Sequence, residues 1–195
     1  MDIYDFFKKC LQINLSIDDA NSLEAKTEGW IAGLQLAAIS MQGREDAPSF
    51  IQSFTGSHHY VLDYLIEEVL HKQPADIQDF LLKTAILDRL TGPLCDALTG
   101  SENGQIILEG LEQANLFLIS LDEERCWYRY HHLFADLLRQ RLGQTQPDQL
   151  PELHRRASIW YGQQGYRVEA IDHALHSGDY TRAIEWIDTD IAGNY

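Results

Sequence analysis

The stretch YRYHHLF places His131 and His132 where alternating aromatics give way to helical spacing. An imidazole offers proton transfer near neutral pH, metal ligation, or a hydrogen bond to an anion that becomes charge-assisted on protonation. Each of these needs partners. A catalytic histidine needs a nucleophile in reach, and no G-x-S-x-G elbow or comparable motif is present, so no catalytic residue is expected. A metal site wants three or four ligands, often at i, i+4 or with C-x-x-C partners. His58–His59 and His131–His132 are adjacent pairs whose side chains should diverge on any regular element. His173 and His176 could share a helical face, but no carboxylate or cysteine joins them at ligand spacing, and no metal site is expected. The cysteines Cys10, Cys95 and Cys126 match neither a disulfide framework nor a zinc spacing and read as small buried hydrophobes.

The elements that must position these residues are almost all helical. Ile3, Phe6, Phe7, Cys10 and Leu11 recur on one helical face. Ser16 followed by Asp19 reads as an N-cap with an acid at N3, opening a helix through Ile17, Ala20 and Leu23. Trp30, Leu34, Ala37, Ala38 and Met41 form a third stripe, which Gly43 and Pro48 break. In YVLDYLIEEVL, Val61, Leu62, Leu65 and Val69 point inward, with Asp63, Glu67 and Glu68 outward. Pro74 marks a joint and starts a helix carrying Ile77, Phe80, Leu81, Thr84 and Ala85. LTGPLCDALTG reads as a short helix, with Thr91 as cap, Pro93 in the first turn and Gly100 as the stop. A further helix from about Gln105 to Gln113 puts Ile107, Leu111 and Ala114 on one face.

The one β signal follows: NLFLISL, a DEER turn and CWYRYH predict a hairpin over about Leu116–Tyr130. Leu133, Phe134, Leu137 and Leu138 then begin a closing helix. Helices, a two-stranded hairpin and a closing helix are the order of a winged-helix-like domain. GQTQPDQLP reads as a polar linker. Beyond it, small residues Ala157, Ala170, Ala174 and Ala183 alternate with Trp160, Tyr161, Leu175 and Trp186, as in tetratricopeptide-type repeats. Gly165 and Gly178 end helices, and Asp179 can cap the next. A solenoid needs more units than fit here, so the chain is expected to be part of something longer. The fold class is therefore mainly α: a helical lid over 1–73, a winged-helix-like domain with one β-hairpin over 74–146, and the first helices of a TPR-like repeat over 147–195.

Charge and hydropathy narrow the function. The formal net charge is -15. Nucleic-acid affinity rests largely on neutralising phosphates, so direct DNA binding is not expected. Arg129, Arg139 and Arg141 read as a solvated helix face rather than a basic patch. No apolar run approaches the ~20 residues of a membrane span, and MDIYDFFKKCLQ lacks a signal-peptide h-region, which favours the cytoplasm.

Three stretches, TEGWIAGLQLAA, LEQANLFLISLDEERCWYRYHHLFADLLRQRL and LHRRASIWYGQQGYRVEAIDHALHSGDY, together resemble the MalT-like, LuxR-type ATP-dependent transcriptional activators of the STAND class of signal-transducing NTPases. The resemblance covers nearly the whole chain. It implies the region after a nucleotide-binding core, with an upstream ATPase domain and a downstream sensor superhelix as partners and ATP or ADP as the parent protein's cofactor. It also implies a regulatory role that couples nucleotide state to inducer sensing. No G-x-x-x-x-G-K-[ST] occurs in this chain, so it is not expected to be an enzyme or to hold a cofactor alone.

TEGWIAGL resembles the lid motif T-x-G-W-P-x-G-L: Gly29 and Trp30 match, and Ile31 takes the proline place near adenine and ribose. Helix core is the competing reading for Trp30 and Ile31. YHHLFADLL resembles the Met-His-Asp signature, with Tyr130, His131 and His132 in those places. The resemblance implies that His131 reaches the β-phosphate of bound ADP, near a helix N-terminus that favours an anion. His131 is then expected to be partly exposed in this chain, with His132 on the other side in a structural bond. A buried histidine bonded to backbone is the rival reading. The competing functional classes are a helical-repeat interaction module without nucleotide role and a hydrolase lacking recognisable motifs.

Overall fold

A computed structural model describes residues 16–30, 33–34, 37, 41, 49–51, 54, 65–114 and 116–192. The stripe from Ile3 to Leu11, Cys10 within it, Ile31, Ala38, the Gly43–Pro48 break, His58–His59 and Val61–Asp63 lie outside them. The chain divides into two compact units, Met1–Gln73 with His131–Leu137, and Pro74–Tyr130 with Leu138–Tyr195.

In the first unit, α1 spans Ile17–Thr27. Ser16 caps it, its Oγ accepting from the Asp19 N–H at 3.0 Å. Asp18 and Asp19 in the first turn complement the helix dipole. Ala20, Leu23 and Thr27 are buried whereas Ile17 is exposed, so the inward stripe starts one turn later than expected. Thr27 turns its hydroxyl onto the Leu23 carbonyl at 2.8 Å, which lets a polar residue sit in the core. The helix stops where Glu28 and Gly29 take left-handed φ values of 49° and 74°. Leu34, Ala37, Met41, Phe50, Ile51, Phe54, Leu65, Val69 and Leu70 are also buried in this unit. The segment Leu65–Leu70 is a π-helical turn rather than α-helix.

In the second unit, α2 (Ala75–Thr84) follows Pro74, α3 (Gly92–Thr99) carries Pro93 in its first turn, and α4 spans Gly104–Gln113. Thr91 stands at the N-cap of α3 without a side-chain cap bond, and Gly100 stops that helix at φ 76°. Two glycines allow α3 and α4 to close up. A Cβ on Gly104 would lie 2.7 Å from the Gly92 carbonyl oxygen, and one on Gly92 would lie 2.7 Å from the Gln105 Cβ. Asp96 seals the approach by accepting the Gly104 N–H at 2.8 Å. On α4 the buried residues are Gly104, Leu108 and Leu111, while Ala114 at its end is exposed, so the buried face is out of phase with the expected one.

The hairpin is antiparallel: β1 (Leu118–Ser120) pairs with β2 (Tyr128–Tyr130) in the register Leu118 to Tyr130. Its loop is longer than the expected DEER turn and is held by the Asp122 carboxylate, which accepts the Cys126 and Trp127 N–H groups at 2.8 and 3.0 Å. The Leu90–Tyr128 bridge extends the sheet on the far edge of β2 through two 2.8 Å bonds. Cys95 is buried as expected, but Cys126 is exposed, because it stands in this loop and not on a strand.

The closing helix α5 (His132–Thr145) buries Leu133, Phe134 and Leu137 in the first unit's share and Leu138 and Leu142 in the second's. The segment read as a linker is instead helical. After α5 come a 3-10 turn at Pro147–Gln149 and α6 (Leu150–Gln163), because Pro147 and Pro151 both sit in first turns, where a missing N–H costs nothing. Then come α7 (Arg167–His176) and α8 (Tyr180–Ala192). Gly165 and Gly178 make the turns at φ 85° and 77°, and Asp179 caps α8 by accepting the Arg182 N–H at 3.1 Å. Ala157, Ala170, Ala174 and Ala183 are all buried, but Leu175 is exposed. The small-to-large fit is explicit at Gly162, where a Cβ would stand 2.2 Å from the Trp186 ring. The tail also packs on α3, with Arg156 donating to the Leu98 carbonyl at 2.9 Å.

Candidate functional site

His131 lies at the N-cap position of α5, its carbonyl accepting from Phe134 and Ala135 at 2.9 Å. Its Nδ1 accepts the Leu133 N–H at 3.3 Å, the bond that an N-cap side chain makes to N2. An N–H can only donate, so Nδ1 carries a lone pair and the ring proton sits on Nε2. Nε2 donates to the Thr27 carbonyl at 2.7 Å. That carbonyl also accepts the Trp30 N–H at 2.8 Å, which uses both of its lone pairs. The two partners explain why His131 is only 6 % exposed. The expectation of a partly exposed His131 is therefore overturned: the end of α1 covers its Nε2.

The neighbouring groups converge on the same point. Glu28 sets one carboxylate oxygen 3.6 Å from His131 Nε2 and the other 3.2 Å from His132 Nδ1. The two imidazoles do not diverge; they stack at 4.8 Å and 18°. His132 thus lies on the same side as His131 and not on the opposite one. Trp30 meets the His131 ring edge-on at 6.0 Å. Glu28 and Gly29, in left-handed conformations, turn the chain so that the carboxylate and the indole both face His131. The Glu28 carboxylate beside the start of α5 complements that helix's dipole. Of the lid-motif residues, Trp30 packs against the His131 ring and Gly29 makes the turn before it, while Ile31 lies outside the described residues. Sequence reasoning missed Glu28. Among the described residues Glu28, His131 and His132 form the one group of three whose ligand-capable atoms lie within 4.8 Å of one another.

A second histidine group stands in the other unit. His154 on α6 and His173 on α7 approach Nδ1 to Nδ1 at 2.8 Å, and His176 stacks on His154 at 5.0 Å. Asp172 lies 3.4 Å from His176. A cavity of about 340 Å³ opens beside them, also walled by Asp88, Arg139 and Leu150. Burial, then the charges of His173 and His176, push the His154 pKa down to about 4, and burial lowers His173 as well. His154, three residues beyond Pro151 at the end of the stretch read as linker, was not singled out by the sequence.

Among the described residues of the winged surface, acidic side chains are prominent. Glu102 just before α4, Glu109 on α4, and Glu123 and Glu124 in the hairpin loop are exposed, and Arg125 faces Glu112 at 3.5 Å. Arg139 is not a free surface cation either: it donates to the Ala85 carbonyl and to Asp88, both at 2.8 Å.

Residues 66–150 match the family described as the MalT winged helix domain. The chain carries a MalT-type winged helix domain. The MalT-like resemblance extends past it in both directions. Serine/threonine-protein kinase PknK of Mycobacterium tuberculosis is 38% identical over 172 residues, covering 88% of this chain and 16% of that protein. HTH-type transcriptional regulator MalT of Klebsiella pneumoniae is 39% identical over 176 residues, covering 89% of this chain and 20% of that protein. The chain thus spans a fifth or less of these curated relatives.

Proposed function

We propose that this chain is the regulatory middle of a MalT-type activator, coupling the nucleotide state of an upstream ATPase domain to inducer sensing by a downstream superhelix. The observation that carries this reading is that a protein named as a kinase and one named as an HTH-type regulator share this same region at 38% and 39% identity. A segment common to two different outputs serves neither output alone; it serves what controls them. On this reading 1–73 is the lid, 74–146 the winged-helix switch and 147–195 the start of the superhelix. The exposed Val168, Leu175, Tyr180, Ile184 and Ile187 on α7 and α8 support the last point, as a face for further helices.

The nucleotide contact is His131, with Gly29, Trp30 and Ile31 shaping the lid side. Its Nε2–H is the tautomer that can donate to a phosphate oxygen, and it would exchange the Thr27 carbonyl for that partner. The chain itself neither turns over ATP nor binds DNA. The acidic faces of α4 and the hairpin loop support that, since a recognition helix and wing must approach phosphates. The test uses purified chain: no shift of a promoter fragment at physiological salt and no phosphate release above background are expected. A salt-resistant, sequence-specific shift would overturn the reading.

A further inference from the structure

The geometry points to a transition-metal site formed by Glu28, His131 and His132, which nothing in the nucleotide reading requires. Two nitrogens and a carboxylate are the donor set of a three-ligand zinc site that keeps a fourth position for water. Bonds of about 2.0–2.2 Å to a tetrahedral ion place ligand atoms roughly 3.3–3.5 Å apart. Glu28 already lies 3.2 Å from His132 Nδ1 and 3.6 Å from His131 Nε2, and all three donor atoms fall within 4.8 Å. The two short distances run to different Glu28 oxygens, so binding through one of them draws the three donor atoms together from within 4.8 Å. His132 is half-buried on the first turn of α5, so its ring is free to tilt out of the stack and aim its lone pair at the ion.

The proton inventory says what binding does. His132 ligates through Nδ1 and keeps its proton on Nε2. His131 ligates through Nε2, so its proton moves to Nδ1. The Thr27 carbonyl loses that donor and keeps the Trp30 N–H, while Leu133 loses its cap. Two ordinary hydrogen bonds are exchanged for a coordination bond, so occupancy is linked to the residue joining β2 to α5. The soft-to-borderline nitrogen donors select Zn²⁺, Ni²⁺ or Cu²⁺ over Mg²⁺ and Ca²⁺.

The experiment titrates Zn²⁺ into chelator-treated whole chain by calorimetry, in wild type and in Glu28→Gln, His132→Gln and His154→Gln. One saturable site is expected, weakened at least about tenfold in the first two variants and unchanged in the third. Nitrogen-15 spectra should show the His131 proton passing from Nε2 to Nδ1 as zinc binds. No saturable site with Zn²⁺ overturns the proposal. So does binding that survives Glu28→Gln and His132→Gln, or that disappears in His154→Gln, since the ion would then sit at the other histidine group. Circular dichroism of each variant confirms that a lost site is not a lost fold.

Discussion

His131 Nε2 and the Thr27 carbonyl oxygen meet at 2.7 Å across 104 residues of sequence. The bond fastens the last turn of α1 to the first residue before α5, and the same ring caps α5. Truncating it removes both. His131→Ala is expected to destabilise the fold by about 2–3 kcal/mol, the sum of a lost cap and a buried carbonyl left with one partner fewer. His131→Asn, which can still cap, should recover about 1 kcal/mol of this. Urea unfolding of the three proteins reads both steps, and equal midpoints for wild type and His131→Ala would contradict the assignment.

Tyr130, one residue earlier, is anchored differently. Its hydroxyl lies 2.7 Å from Thr84 Oγ1 in the buried core, and burial raises its pKa strongly. Thr84→Val keeps the shape and removes the partner, at an expected cost of about 1–3 kcal/mol. Adding Tyr130→Phe should return part of that loss, because an apolar pair no longer strands a hydroxyl. A double variant less stable than the sum of the two singles would argue against the pairing.

Much of the fold was legible because its signals are local. Ser16, Pro93, Gly100, Gly165, Gly178 and Asp179 each do what their residue type favours at a helix end, and the aromatic alternation before His131 marks β2. Phase errors arose where few residues set a helix face, as on α4, where Leu108 and not Ile107 is buried. Proline misled at Pro147 and Pro151, since it signals a helix start as readily as a break. The candidate site was half legible. His131, Gly29 and Trp30 could be singled out, but the Glu28 contact, the Leu90–Tyr128 bridge and the His154–His173 approach depend on pairings that local patterns do not encode.

Gly162 is the tightest small-residue position in the tail. Gly162→Ala would press a methyl into the Trp186 ring, whose indole N–H donates to Ser158 Oγ at 3.2 Å. The expected cost is about 1–3 kcal/mol. Trp186→Leu in the same chain should relieve the clash, so the two changes are non-additive. Thermal unfolding of the four proteins closes the cycle; strict additivity would place the indole elsewhere.

The His154 group sets a pH dependence. Its folded pKa is about 4 against an ordinary 6.5, so between those values the unfolded chain binds more protons. Stability from this group is fully present above about pH 6.5 and is lost as pH falls toward 4. His154→Leu is expected to flatten the fall of the melting temperature over pH 6.5–4. An identical slope in variant and wild type would show that the imidazole titrates normally.

The central claim is that the His131 junction reports nucleotide state, and ADP dissociation from the full-length protein tests it most directly. His131→Ala should release ADP faster than wild type and raise basal activation, since a lost phosphate bond weakens only the closed state. His132→Ala should change ADP release far less. A correctly folded His131→Ala protein that holds ADP as tightly as wild type and still waits for inducer would contradict the account.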